Sequence, residues 1–139
     1  MTSDDDSPQP AASPFQSLNS HGWRQLVGTR ANILVEGQPA VLAQFLDSVR
    51  SVLRQPIAMV ECGPAMSLVR TPTVVLANVD RLRAEEQRAL HAWATDARNA
   101  DAQLIALSSV ALFRMVQAET FDRELYYRLN TILIQLEPV

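Results

Sequence analysis

The chain has 139 residues, of which 47% are hydrophobic, and its formal net charge is −3. A chain of this length can bury about two-thirds of its unfolded surface, which suffices for one domain without disulfides, and the single cysteine, Cys62, cannot form an internal bridge. No apolar stretch approaches the ~20 residues of a membrane helix, no secretory signal is visible, and the basic residues are scattered along the chain, so we expect a cytoplasmic protein without an evident nucleic-acid or membrane partner.

The first fourteen residues differ in composition from the rest. They contain Asp4, Asp5 and Asp6, three prolines, and no large apolar residue between Met1 and Phe15. Such a segment cannot offset the entropy lost on ordering. We therefore predict a disordered, acidic and proline-rich tail at residues 1–14 and one domain at residues 15–139.

The first half of the domain alternates apolar runs with a helical pattern. Ile33–Val35 is predicted as a short buried strand. Apolar residues at helical spacing from Val41 to Leu53 then predict a helix that covers one side of a sheet. Pro56 ends this pattern, and Ile57–Val60 is predicted as the second strand.

A third strand and a second long helix follow. Every residue of Thr73–Ala77 is β-branched or apolar, which is typical of a strand buried on both faces. Asp80 is expected to cap the next helix, and Glu85 and Glu86 to lie on its solvated face. The predicted buried stripe of that helix comprises Leu82, Ala89, Leu90, Trp93 and Ala97.

The remaining elements complete an alternating pattern. Gln103–Leu107 is predicted as the fourth strand, Ala111–Gln117 and Asp122–Leu129 as helices, and Thr131–Leu136 as the fifth strand. Strands that alternate with helices imply right-handed parallel crossovers. We therefore expect an α/β fold, a three-layer αβα sandwich around a five-stranded parallel sheet.

The segment from Phe121 to Asn130 carries the most specific signal in the chain. It reads Phe-Asp-Arg-Glu-Leu-Tyr-Tyr-Arg-Leu-Asn and is followed by an apolar strand and Pro138. It resembles the segment Phe-Arg-x-Asp-Leu-Tyr-Tyr-Arg-Leu-Asn of bacterial sigma-54 activators, which are ring-forming AAA+ ATPases, and the resemblance extends over about residues 23–138. It implies a P-loop NTPase core in which the fifth strand is at the edge, next to the first, which neighbours the fourth. The family's lid domain is expected to be absent.

The resemblance also locates a degenerate phosphate-binding loop. The family's Gly-Glu-x-Gly-x-Gly-Lys-Glu aligns with the stretch from Gly37 to Gln44, in which Ala43 takes the position of the lysine. Every basic residue of the chain is an arginine, so no lysine is available elsewhere. Pro39 removes a backbone amide that could contact phosphate. We expect a vestigial site that cannot hold a triphosphate, and no cofactor.

The other catalytic positions of the family are also changed. Its Asp-Glu pair, which organises magnesium and water, aligns with Ala77 and Asn78, and its Thr-Asn sensor pair aligns with Ser108 and Ser109. The chain is therefore expected not to be an enzyme. No metal site is expected either, because His21 and His91 have no ligand partner at suitable spacing.

Three residues of the Phe121–Asn130 segment are interaction candidates by the same resemblance. Two arginines of the family act on the neighbouring subunit's nucleotide; Asp122 replaces the first, and Arg128 matches the second. Tyr126 is the third candidate, although Tyr126 and its neighbour Tyr127 also fit simple packing. Arg128 could instead pair with Glu124 within its own helix.

These observations favour a pseudo-ATPase that regulates transcription through protein contacts, with an intact AAA+ activator or a second copy as its partner. Direct contact with sigma-54 is not expected, because the family's contact loop is missing between Gly63 and Thr73. One alternative is a divergent ATP-binding or ATPase domain. The other is a receiver-like signalling domain without its phosphoacceptor, since of the acidic residues and the lysine that a receiver needs only Glu36 is present.

Overall fold

The computed structural model describes residues 20–136, and their side chains from residue 22 onward. The predicted acidic tail at residues 1–14 lies outside the described residues, as do the side chain of His21 and Pro138. Within residues 20–136, no helix is long and apolar enough to cross a membrane.

Five parallel strands form one sheet at the centre of the molecule, as predicted. The strands are β1 (Ile33–Glu36), β2 (Ile57–Glu61), β3 (Thr73–Ala77), β4 (Gln103–Ser108) and β5 (Ile132–Gln135). Their order across the sheet is β2-β3-β4-β1-β5, so the last strand is at the edge beside β1, and β1 neighbours β4, as expected. This order differs from the 2-1-3-4-5 order of receiver-type folds, which rules out the receiver-like alternative.

Helices cover both faces of the sheet. Successive residues of β1 point to opposite faces, so Ile33 packs in one core and Leu34 in the other. The helices are α1 (Ser20–Gly28), α2 (Pro39–Val49), α3 (Ala84–Thr95), α4 (Leu112–Gln117) and α5 (Arg123–Leu129). The core that contains Ile33 lies under α1 and α2, and the core that contains Leu34 lies under α3, α4 and α5.

Helix α1 was not predicted. It places Trp23, Leu26 and Val27 toward the core at helical spacing, and the Trp23 ring lies 5.5 Å from that of Phe45 on α2. Gln103 at the start of β4 is buried, and its Nε2 donates to the carbonyls of Val27 and Ala31 at 3.0 and 2.9 Å. The connection after α1 is thereby fixed to the sheet.

The start and the buried face of α3 differ from the prediction. Asp80 does not cap this helix; Glu86 Oε1 instead accepts a hydrogen bond of 2.9 Å from the backbone N–H of Arg83, immediately before the helix. Glu86 is therefore buried and does not lie on a solvated face. Ala89 and Ala97 of the predicted stripe are exposed, because polar side chains bonded to the backbone occupy part of the buried face.

Gln87 is the second polar residue on that buried face. Its Nε2 donates to the carbonyls of Leu82 and Thr120 at 2.9 and 3.0 Å, and its Oε1 accepts from the backbone N–H of Asp122 at 2.8 Å. One carboxamide thus connects α3 to the loop that leads into α5. A buried polar side chain is stable here because every one of these bonds satisfies a backbone group.

Candidate functional site

The residues predicted to form a vestigial nucleotide site lie at the carboxyl edge of the sheet. Gly37 follows β1, Asn78 follows β3 and Ser109 follows β4, while Ala77 is the last residue of β3. The structure therefore brings these positions to one edge, where ligands bind in open α/β sheets. Ala43 lies on α2 with its side chain exposed.

The connection between β1 and α2 is very short. Only Gly37 and Gln38 separate the two elements, and α2 begins with Pro39, which has no N–H to offer a ligand. A phosphate-binding loop needs several consecutive backbone amides that face one point. The connection itself offers two backbone amides, and that of Gly37 donates to the carbonyl of Ser108.

Gly37 is required by packing against Leu136, which follows the edge strand β5. Its N–H donates to the carbonyl of Ser108 at 3.0 Å. A Cβ atom at this position would lie 3.1 Å from Cβ of Leu136 and 3.3 Å from its carbonyl oxygen. Packing alone therefore explains why position 37 is a glycine, without any contact to a phosphate.

Glu36 places a buried carboxylate at the same edge, and the sequence interpretation did not include it as a site residue. Its Oε2 accepts from the backbone N–H of Leu112 at 2.9 Å, and its Oε1 accepts from Nε2 of Gln135 at 3.1 Å. The carboxylate thus joins β1 to α4 and β5. The sequence signal that could have identified Glu36 was an acidic residue at the end of an apolar strand.

The residues after β3 and β4 bond to one another and to the fold. Asn78 has a left-handed backbone (φ 61°), which asparagine tolerates better than most residues, and its Nδ2 donates to Glu61. Ser109 Oγ donates to Asp80 at 3.5 Å. Buried Ser108 donates to the carbonyl of Val110 at 2.7 Å. No group of three or more histidine, cysteine or acidic residues suited to a metal ion occurs within residues 20–136.

Cys62 is a buried thiol that follows β2. Burial raises its pKa to about 12, and the negative charges of Glu61, Asp80 and Glu86 add to that effect. The thiol is therefore protonated at neutral pH and is not a nucleophile.

The Phe121–Asn130 segment begins with a capped helix. Asp122 Oδ2 accepts from the backbone N–H of Leu125 at 2.7 Å, so this carboxylate is the N-cap of α5. Tyr126 is buried, with its ring 5.5 Å from that of Phe113, and burial raises the pKa of its hydroxyl. Tyr126 is thus a packing residue and not a surface for a partner, whereas Tyr127 is 55% exposed.

Arg128 lies near the amino-terminal ends of the strands, whereas Gly37 lies at their carboxyl ends. It is exposed in the last turn of α5, and its carbonyl accepts from Nδ2 of Asn32 at 3.0 Å, just before β1. The alternative pairing with Glu124 does not form: the ion pairs within the described part of the chain are Arg83–Glu86 and Arg98–Asp96.

Arginines that are scattered in the sequence converge around this end of the strands. Arg30, Arg54 and Arg128 line one cleft of about 510 Å³. A neighbouring depression shares Arg54 and adds Arg70 and Arg98. We call this surface the arginine end; it holds five of the twelve arginines of the chain.

The comparison with protein families and the comparison with solved structures lead to the same group of proteins. The model of the sigma-54 interaction domain family matches residues 25–139, and no curated protein matches the chain. NtrX from Brucella abortus, in a complex with ATP, is 15% identical with a TM-score of 0.66, over 85% of this chain and 34% of NtrX. The P-loop NTPase domain of a sigma-54 transport activator from E. coli is 19% identical with a TM-score of 0.55, over 86% of this chain and 96% of that domain. The chain thus spans about a third of NtrX, and these likenesses show a shared fold.

Proposed function

The chain belongs to the sigma-54 interaction domain family, and from that membership we propose that it is a pseudo-ATPase that acts as a protein-interaction module. One observation carries this proposal. Two residues join β1 to α2, where the related ATPases have a glycine-rich loop with a lysine. Without that loop and that lysine, the phosphates of a nucleotide have few donors to bind.

Electrostatics at the carboxyl edge supports the same proposal. Glu36 contributes a negative charge beside the connection that would face the phosphates. Like charges in a partly buried site repel strongly, because the local dielectric screens them less than water does. Asn78 is engaged with Glu61, and Ala77 has no metal ligand to offer. A magnesium–nucleotide complex therefore meets repulsion and lacks compensating ligands.

The interaction part of the proposal rests on Arg128. Its guanidinium is exposed at the end of α5 and takes no part in the ion pairs of the described residues. A charge-assisted contact to a partner can contribute about 1.5–3 kcal/mol. We propose an intact AAA+ activator or a second copy of this chain as the partner, with a regulatory role in transcription and a cytoplasmic location.

Thermal melting tests the pseudo-ATPase part. Millimolar ATP with magnesium is expected to leave the melting temperature unchanged, because a ligand raises it only by binding the folded state. Hydrolysis above the buffer rate, or a rise of several degrees that Asn78→Ala removes, would restore the alternative of a divergent ATPase.

Sedimentation and pull-down with an intact activator test the interaction part. Arg128→Ala is expected to weaken association about tenfold or more without lowering the melting temperature. Arg24→Ala is the matched control, because Arg24 is exposed on α1 and does not line the arginine end. Equal association of both variants contradicts the assignment of the interface.

A further inference from the structure

Strand β2 is at one edge of the sheet, and its inner side is paired with β3 along its whole length. Cys62, directly after β2, donates its backbone N–H to the carbonyl of Ala77 at 3.0 Å. The backbone N–H and C=O groups of successive strand residues point to alternate sides. Those of Ala58 and Val60 therefore face β3, as those of Cys62 do.

The outer side of β2 carries backbone groups without a partner. By the same alternation, the N–H and C=O groups of Ile57, Met59 and Glu61 point away from the sheet. No hydrogen bond among residues 20–136 reaches these groups. An edge of this kind is a template on which another strand can pair.

The space beside this edge is open. A depression of about 500 Å³ is lined by Met59 and Val60 and by residues 63–65 of the connection to β3. The side chains of Met59 and Val60 lie on opposite faces of the strand, so a depression that both residues line must be at the edge. The connection therefore does not close over β2, and Met59 at the middle of the strand is 54% exposed.

The usual protection of an edge strand is weak here. Natural edges are often guarded by charged residues or proline, and Ile57–Glu61 contains no lysine, arginine or proline. Glu61 is its one charged residue, and its carboxylate accepts from Nδ2 of Asn78, which follows β3. This hydrogen bond holds the carboxylate over the sheet and not beyond its edge.

The outer side of β2 is complementary to itself. Two copies of the strand can lie antiparallel about a two-fold axis at Met59, with Met59 opposite Met59 of the second copy and Ile57 opposite Glu61. Every outward N–H and C=O group of both strands then has a partner. A register with Glu61 opposite Glu61 instead brings two carboxylates together, which is unfavourable. Charge and hydrogen bonding thus favour one register, centred on Met59.

We propose that two copies of this chain pair through the outer side of β2, antiparallel and centred on Met59, so that their sheets become continuous. Strands of five residues make a small contact compared with the about 1,200 Å² that stable complexes bury. The dimer is therefore reversible and forms at high protein concentration. Arg128 takes no part in it, so this inference goes beyond the proposed function and does not rest on it.

Sedimentation velocity of the full chain, from about 1 μM to about 0.5 mM, measures this weak equilibrium. Met59→Lys and Met59→Glu are each expected to weaken dimerisation about fivefold or more, because like charges meet at the two-fold axis. An equimolar mixture of the two variants is expected to associate again, since opposite charges then meet. In a register with Met59 opposite Glu61, Met59→Lys alone strengthens dimerisation, and that result overturns the proposal.

Val110→Lys is the matched control. Val110 is 44% exposed and follows β4, away from β2, so this substitution is expected to leave dimerisation unchanged. Both positions are exposed, and all three variants are expected to keep the melting temperature of the unmodified chain. A chain that stays monomeric at about 0.5 mM overturns the proposal, and so do equal effects of Val110→Lys and Met59→Lys or a mixture that does not associate.

Backbone amide exchange identifies the strand that pairs. The amides of Met59 and Glu61 are expected to exchange more slowly at high protein concentration, because the second copy supplies their acceptors. Those of Ala58 and Val60, which already face β3, are expected not to change. Met59→Lys is expected to abolish the concentration dependence. Dimerisation that leaves the exchange of Met59 and Glu61 unchanged contradicts pairing through β2.

The outcomes for this proposal and for the proposed function are separable. Self-association that Arg128→Ala abolishes and Met59→Lys leaves intact overturns pairing through β2 and supports the interface at Arg128. If no intact activator binds the chain but Met59→Lys still abolishes the dimer, pairing through β2 stands without the proposed activator partner.

Discussion

Replacement of Gln87 by methionine tests how α3 is joined to the Phe121–Asn130 segment. Methionine keeps the length and approximate volume of the side chain but removes both polar atoms. Three buried or part-buried bonds are lost, to the carbonyls of Leu82 and Thr120 and from the N–H of Asp122. Each bond contributes about 0.5–1.5 kcal/mol net, and an unsatisfied buried group costs more. We expect Gln87→Met to lower the free energy of unfolding by about 2–4 kcal/mol.

Urea denaturation followed by circular dichroism measures this loss. At 139 residues, the same change corresponds to a fall in melting temperature of about 6–16 °C. Gln117→Met is the matched control, because Gln117 is exposed on α4, and it is expected to change the free energy of unfolding by less than about 0.5 kcal/mol. If Gln87→Met costs no more than the control, the carboxamide does not hold α3 to this segment.

Three further changes probe the sheet edge, the helix cap and the thiol. Gly37→Ala is expected to lower the free energy of unfolding by about 1–3 kcal/mol, because the new Cβ atom meets Leu136. The control Gly28→Ala, whose Cβ atom meets no atom within 4 Å, is expected to leave this free energy unchanged or to raise it. Equal effects of both substitutions in urea denaturation contradict the packing argument. Asp122→Ala removes the N-cap of α5 and is expected to cost about 1 kcal/mol in the same melts. Cys62 is expected to resist iodoacetamide at pH 8 until the chain unfolds, and rapid labelling of the folded chain contradicts this expectation. The free energy of unfolding should fall as the pH rises from about 9 toward about 12, because the thiol ionises first in the unfolded chain.

The sheet was predictable from the sequence because its three inner strands, β1, β3 and β4, are buried on both faces. Runs such as Val74–Ala77 are apolar without interruption, and the helical spacing from Val41 to Leu53 is regular. The buried face of α3 was less predictable, because Glu86 and Gln87 look solvated until their backbone partners are known. Polar residues bonded to distant backbone groups disturb the apolar periodicity on which such predictions depend.

The positions of the candidate site were predictable, but their contacts were not. Parallel topology brings Gly37, Asn78 and Ser109 to one edge, and chain order is enough to foresee that. The convergence of the arginines depends on where unrelated loops end in space. Arg30 and Arg128 are far apart in the chain, so their meeting at one cleft has no local signal.

The two hydrogen bonds of the Asn32 side chain limit which residues can replace it in evolution. Its Nδ2 donates to the carbonyl of Arg128 at the end of α5, and its Oδ1 accepts from the backbone N–H of Leu104 in β4 at 2.9 Å. Aspartate has no N–H to donate, and glutamine is one methylene longer, so few substitutions can serve both partners at once. Drift in close relatives should therefore be slower at position 32 than at exposed arginines nearby, even though Asn32 makes these bonds only to main-chain atoms of its own fold.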